Sequence, residues 1–301
     1  MKRPEILLCL DSDDPDTVDC DWGCESSAAL EACLPRSIMD FEALVDDNRV
    51  DRAVRIVERT HVARIGVYRG WMLKATEYTS LYSALEKRGL VLINSPDQYI
   101  HCHHLPESWP LMAERTPKTI WMPREHDHDN IMTALSVFKG APIILKDYVK
   151  SQKHYWNEAC FIPDSADSES VRRVVAKFLE LQGDIQGGLV FREFLDLEPV
   201  GIHQASGMPM SLEFRVFVLD GKPFFTCPYW EEGDYPPGIE LPLGEFSEIF
   251  RAIKSRFFAA DLARTRTGQW VIVELGDGQV SGLPKSMARD FYRALTGAWS
   301  Q

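Results

Sequence analysis

No stretch of the 301-residue chain approaches the roughly 18 consecutive apolar residues that a membrane-spanning helix requires, so no bilayer partner is expected. Positive charge is also short: 33 lysines and arginines face 45 aspartates and glutamates, for a formal net charge of −12. An acidic surface repels nucleic-acid phosphates and anionic membranes. That argues against an extended nucleic-acid footprint, although a local basic cleft could still hold phosphates. The apolar run within residues 1–10 is too short for a signal peptide and meets acids at once. Cysteines are few and scattered, at Cys9, Cys20, Cys24, Cys33, Cys102, Cys160 and Cys227, with no Cys-x-x-Cys pair. Their odd number fits free thiols in a reducing cytoplasm, which is the expected location. Internal repeats, low-complexity tracts and any signal for a Ser-His-Asp or Cys-His arrangement are missing as well.

What remains is a globular composition in a chain long enough for two or three domains. Residues 6–10 read as a buried strand running into an acidic loop, and residues 64–68 and 90–93 as two more strands. Helical spacing over 41–60 and 78–88 places helices between them, so a small α/β unit is expected over 1–104. Residues 105–130 look like a connector, followed by a short helix over 130–138 and an apolar strand over 142–146 that ends on Lys146. A helix over 168–182, capped by Ser168, precedes a strand-rich region. That region has strands over 189–194 and 212–219, a hairpin turn at Asp220-Gly221, a helix over 246–260, a strand over 269–275 and a closing helix over 285–295.

Four places could carry chemistry. Asp261 and Glu274 stand thirteen residues apart, with a turn at Arg266-Thr267-Gly268-Gln269 between them, so a hairpin could set both carboxylates side by side. With Asp277 in the loop Gly276-Asp277-Gly278, converging hard oxygens would select Mg²⁺; solvated hairpin ends are the competing reading. Lys146 at a strand end suits a phosphate, or is an ordinary edge lysine with its head in water. Phe191-Arg192-Glu193-Phe194-Leu195 interrupts an apolar strand with charge, as a segment that lines an adenine does. Glu213 and Arg215 share a strand face: a carboxylate for ribose hydroxyls and a guanidinium for phosphate, or a surface ion pair.

The order of these elements carries more than any one of them. Strand-Lys, helix, strand with Glu193, strand with Glu213-x-Arg215, Asp261, then strand-Glu274 in an acidic loop resembles the ATP-grasp superfamily from residue 105 onward. Lys146, Arg192 and Arg215, with Val273-Glu274-Leu275-Gly276-Asp277-Gly278-Gln279, resemble its R2K clade. The resemblance implies an α/β (α+β) ATP-grasp fold, with a nucleotide cleft between two sheet-bearing subdomains (105–165 and 166–301) behind the small N-terminal domain (1–104). It implies ATP and Mg²⁺. Lys146 would touch the α-phosphate and adenine edge; Glu193, Phe194 and Leu195 would line the adenine; Glu213 would hold the ribose. Arg192 and Arg215 would hold phosphates or the reacting group and act with Lys146 in catalysis. Asp261 and Glu274 would bind Mg²⁺. The family's Glu-x-Asn becomes Glu274-Leu275-Gly276 here, with Asp277 as the substitute ligand, and residues 150–156 replace the usual glycine-rich phosphate loop.

The implied activity is an ADP-forming carboxylate–amine ligase acting on a small-molecule or peptide substrate, with a homodimer as one allowed assembly. The alternative is a phosphotransferase or nucleic-acid end-modifying enzyme using the same ATP site; a nucleotide sensor without turnover is the third class. His101-Cys102-His103-His104 and His126-Asp127-His128-Asp129 resemble metal ligands, but adjacent residues rarely share one ion, so a polar connector or a wall of the substrate cleft is preferred. Lys150, Lys153 and His154 read either as a phosphate flap or as a solvated loop, and Tyr229-Trp230-Glu231-Glu232 as a possible cover for substrate.

Overall fold

The computed structural model describes residues 3–46, 48–124 and 127–300. The first unit is built from β1 (Glu5–Cys9), α1 (Gly23–Glu31), β2 (Arg36–Met39), α2 (Phe41–Val45), α3 (Val50–Ala53), β3 (Arg64–Arg69), α4 (Ala75–Glu86) and β4 (Leu90–Leu92). Its sheet is parallel, in the order β2-β1-β3-β4. β1 is buried throughout, which is why residues 6–9 read as an apolar run without alternation. The single helix expected over 41–60 is instead two short ones. Asp40 caps α2 through the Ala43 amide, and Asn48 turns left-handed at φ 50°, a conformation that ends a right-handed helix.

The expected connector over 105–130 holds regular structure. Ser95 and Gln98 form a capping box, Pro96 occupies the first turn, and α5 (Pro96–His103) follows, then α6 (Leu105–Met112). The second unit then begins with β5 (Thr119–Pro123) and continues through α7 (His128–Leu135), β6 (Ile143–Asp147), β7 (Phe161–Ile162), α8 (Ser168–Gln182) and β8 (Gly188–Glu193). Its antiparallel sheet runs β5-β8-β6-β7. β8 returns between β5 and β6, so the strand of residues 188–193 shares a sheet with those of residues 119–123 and 143–147. Asp167, not Ser168, caps α8, accepting from the Glu169 and Ser170 amides. One sheet face packs Ile143, Leu145, Leu189 and Phe191 with Val171, Val174 and Phe178 of α8. The opposite face carries Thr119, Ile144, Lys146, Val190 and Arg192, directly paired neighbours across three strands.

The third unit contains the β9 (Pro199–Ile202) and β10 (Pro209–Ser211) hairpin, then β11 (Glu213–Leu219), β12 (Lys222–Pro228), α9 (Ser247–Ala252), β13 (Phe257–Arg264), β14 (Trp270–Asp277) and α10 (Ala288–Trp299). The antiparallel sheet runs β12-β11-β13-β14. Asp220 and Gly221, at φ 48° and 74°, supply the two left-handed positions of the tight turn joining β11 to β12. The helix expected over 246–260 is corrected to the short α9; Phe257-Phe258-Ala259-Ala260 opens β13, whose first seven residues are all buried. A central strand covered on both faces loses its alternation and reads like a core helix.

The two faces of this sheet do different work. Val216, Val218, Phe258, Ala260, Leu262, Ile272 and Leu275 pack under α5, α6 and α9. On the other face, Phe217, Leu219, Phe257 and Ala259 join the core of the first unit and α10, while Glu213, Arg215, Asp261 and Glu274 lie beyond that apolar half.

A buried ion pair ties the first unit to the third. Arg69 is fully buried and donates through Nε and Nη2 to the Glu25 carboxylate, both at 2.8 Å. Its Nη1 donates to Ser281 O at 2.9 Å and to Gly278 O, and Tyr292 donates to Glu25 at 2.9 Å. Arg69 thereby holds the loop after β14 against the N-terminal sheet.

Candidate functional site

The floor of the cleft is a row of directly paired residues. Arg215 on β11 lies opposite Asp261 on β13, and Asp261 lies opposite Glu274 on β14. A β-bulge at Val273 makes this possible. Ile272 faces the core and Glu274 the cleft, although two residues apart on a regular strand would share a face. Arg215 grips Asp261 bidentately, with Nε and Nη2 each 2.8 Å from a carboxylate oxygen, and its Nη1 donates to Gly282 O at 3.0 Å. Asp261 holds the guanidinium charged against the cost of burial. From the second unit, Lys146 reaches across the cleft and sets its Nζ 2.5 Å from Glu274 Oε1. Burial pushes the Glu274 carboxyl up, but Lys146, then Arg192 and Lys153, outweigh it and hold the group below the usual carboxylate range.

Two cavities meet at this bridge. A polar one of about 450 Å³ is lined by Lys146, Lys150, Lys153, Arg215, Asp261 and Glu274. An apolar slot of about 170 Å³ lies on its other side, walled by Trp156, Phe194, Leu195, Met208 and Val273. Lys146, Lys153, Tyr229 and Glu274 line both. Trp156 stacks on Phe161 with centroids 5.4 Å apart, which stiffens the outer wall of the slot. Glu213 sits in the slot, 5% exposed, accepting a hydrogen bond from Ser211 Oγ at 2.9 Å. Burial raises its carboxyl, and Asp261 and Glu274 add to the shift. Cationic cavity, acidic pair and flat apolar slot in line are what a nucleoside polyphosphate with a divalent cation requires.

Several expected site residues thus converge: Lys146, Glu193, Phe194, Leu195, Glu213, Arg215, Asp261 and Glu274 all line the joined cavities. Asp277 also borders the polar cavity and Arg192 the slot, and both have protein partners in this structure. Asp277 lies on the opposite strand face from Glu274, because Glu274 to Asp277 pair in unbroken register with Asp261 to Phe258. Its carboxylate accepts from Asn94 Nδ2 at 2.6 Å and from the Gln279 amide at 2.9 Å, and burial pushes it up to about 7. Arg192 faces the slot, but all three guanidinium nitrogens are engaged: Nε on Thr119 Oγ1 at 3.2 Å, Nη2 on Thr116 Oγ1 at 2.8 Å and Nη1 on the carbonyl of the bulged Val273. Arg192 is a clamp that ties the second sheet to the bulge beneath Glu274.

The sequence reading missed Thr116, Ser211 and Ser281. Ser281 explains the missing side chain at Gly276, where a Cβ would stand 3.0 Å from Ser281 Oγ. Thr116 and Ser211 carry no sequence signal, since any loop hydroxyl looks alike before partners are known. Of the histidine-rich segments, His126 lies outside the described residues, and His128 bonds Ser168 at 2.7 Å. No group of three or more potential metal ligands occurs among the described residues. His103 does line the polar cavity, stacked on Tyr99 with centroids 4.7 Å apart.

His103 also sets a pH dependence. Burial, with His104 and Lys150 adding, pushes its imidazole down from 6.5 to about 3. The unfolded chain therefore binds the extra proton between those values, and stability, fully present above pH 6.5, falls as pH drops toward 3. Urea unfolding of His103→Phe, which keeps the ring stack, is expected to lose up to ~1.4 kcal/mol per pH unit of that slope between pH 6 and 4.5. An unchanged slope would show that the imidazole does not titrate this way.

No described helix is long and apolar enough to cross a membrane. None of the curated proteins matches the chain. Solved structures do. The RimK-domain ATP-grasp protein of Sphaerobacter thermophilus aligns with 13% identity over 98% of each chain, at a TM-score of 0.59. The D-alanine–D-alanine ligase of Bacillus anthracis, solved with ATP, aligns with 16% identity over 98% of this chain and 94% of that one, at 0.56. The ATP-grasp ligase PsnB, solved with a phosphomimetic variant of its minimal precursor, Mg and ADP, aligns with 12% identity over 100% and 99%, at 0.57. At such identities the likeness establishes the mixed α/β ATP-grasp fold. Residues 137–295, more than half of the chain, match the family described as ATP-grasp domain, R2K clade family 3, and the chain belongs to that family.

Proposed function

We propose that the protein is an ADP-forming ligase that uses ATP to activate a carboxylate on a small-molecule or peptide substrate and joins it to an amine. The observation that carries this is the row Arg215–Asp261–Glu274 facing Lys146 across the cleft, with an apolar slot on one side of the bridge and a cationic cavity on the other. ATP-dependent ligases among the structural neighbours support the same reading. Adenine would lie in the slot against Phe194 and Leu195, the ribose at Glu213, and the phosphates along Lys146 toward Arg215.

The residues present fit Mg²⁺. Asp261 and Glu274 offer hard oxygens directly opposite each other, and each is neutralised by a cation in the free protein. Mg²⁺ held there would neutralise charge on the phosphates. Lys146 would then exchange Glu274 for phosphate, and Arg215 would orient the reacting group. A carboxylate oxygen of the acid attacks the γ-phosphorus, the bond to the β-phosphate oxygen breaks, and ADP leaves. The amine nitrogen then attacks the acyl carbon, expels phosphate and loses a proton. Positioning and electrostatics supply the catalysis, with no protein nucleophile.

The test is ADP and phosphate release across panels of acids and amines. ADP and free phosphate appearing only when both an acid and an amine are present is the expected result. Phosphate retained on a single product would mean a phosphotransferase, and ATP binding without turnover under any pair would mean a sensor.

A further inference from the structure

Lys153 lines every cavity of the cleft: the polar cavity, the apolar slot, and two more around Tyr229–Trp230, of about 350 and 180 Å³. It belongs to the segment between β6 and β7, at the start of a short helical turn over Lys153–Tyr155. Among the described residues it forms no ion pair. Its ammonium instead rests on two aromatic faces, 5.4 Å from the Tyr229 centroid and 5.3 Å from that of Trp230, with the Tyr229 hydroxyl 3.3 Å away. Arg215 stacks on the same tyrosine at 4.9 Å. Two cations thus flank one ring, and together they line the 350 Å³ cavity beyond the Arg215–Asp261 pair.

We infer that Lys153 is a catalytic residue that leaves its aromatic rest to bind the γ-phosphoryl group, bridging the nucleotide to an acid held beside Arg215. The inference rests on the ATP reading of the cleft. An aromatic face attracts an ammonium more weakly than a phosphate oxygen does, so a bound triphosphate draws Lys153 off the rings. Position selects the γ-phosphoryl end. Lys146 spans the slot and the polar cavity, whereas Lys153 also lines the cavity past Arg215, where the acid would meet the phosphate. Its charge also reaches both Asp261 and Glu274. The vacated faces of Tyr229 and Trp230 would then cover the acid. In the transfer itself Lys153 forms no bond; it offsets charge as the γ-phosphorus leaves the β-phosphate oxygen for the carboxylate.

ATP and ADP titrated calorimetrically into the full chain with Mg²⁺ separate the possibilities, because only ATP carries the γ-phosphoryl. Lys153→Met is expected to weaken ATP ~10-fold or more while ADP changes less than ~2-fold, with Lys153→Arg restoring most of the loss. ATP, and not ADP, is expected to change the emission that Trp230→Phe removes, and Lys153→Met to abolish that change. Equal losses for both nucleotides, no loss for either, or a Trp230 signal that persists in Lys153→Met would each overturn the assignment. If the wild type binds neither nucleotide, the ATP reading fails and takes this inference with it. A wild type that binds ATP beside a Lys153→Met variant that binds it equally well removes only the role of Lys153.

Discussion

Glu274→Ala is expected to lower substrate-dependent ADP release by ~10³-fold or more while leaving the fold intact. Glu274 stands at the junction of the two cavities, bridged to Lys146 and opposite Asp261. Removing it deletes half of the acidic pair and frees a lysine that then has no carboxylate beside it. Glu274 itself is 37% exposed, but Lys146 is only 7% exposed, so the variant leaves a largely buried ammonium unpaired and a lower unfolding midpoint is expected beside the loss of activity. Lys146→Ala should lose activity comparably, through weaker ATP binding rather than weaker Mg²⁺ dependence. The double variant should be far less than additive, because each residue acts through the same bound phosphates. Full activity in both single variants would remove the cleft from the mechanism.

Arg69→Met is expected to destabilise the protein by ~3–5 kcal/mol, since it leaves the Glu25 carboxylate buried beside Tyr292 with no counter-charge and orphans the Gly278 and Ser281 carbonyls. Arg69→Met combined with Glu25→Leu should recover much of that loss, because paired apolar replacements of a buried ion pair are tolerated where a single deletion is not. Ligand affinity should behave differently. The loop from Gly276 to Gly282 borders the polar cavity, so both variants should bind nucleotide less well even after stability recovers. Urea midpoints of the two variants check the first point and calorimetry the second. A single variant within ~1 kcal/mol of wild type would mean that water replaces the guanidinium in the interior.

The parallel N-terminal sheet was legible because each strand is a short apolar run closed by turn residues, and α8 because its valine and phenylalanine stripe has helical period. The pairing of Asp261 with Glu274 was legible from hairpin length and the turn at Gly268. Helical spacing misled over 246–260, where alanines and phenylalanines fit a buried strand as well as a helix. The face of Asp277 was illegible. A carboxylate beside two glycines looks like a ligand until Asn94, about 180 residues earlier in the chain, is found bonded to it.

By itself, the amino-acid sequence determined which charged groups exist and in what order: a lysine ending an apolar strand, then Glu213-x-Arg215, then Asp261 and Glu274 at hairpin spacing. Those depend on local propensity and chain distance alone. Tertiary structure decided which of them share a cleft. The bulge at Val273 turns Glu274 up beside Asp261, the return of β8 between β5 and β6 delivers Arg192 to that bulge, and the packing of the N-terminal unit keeps Asp277 for itself. Side-chain direction on a strand reverses with one inserted residue, and whether a ladder admits that residue is settled by partners distant in the chain.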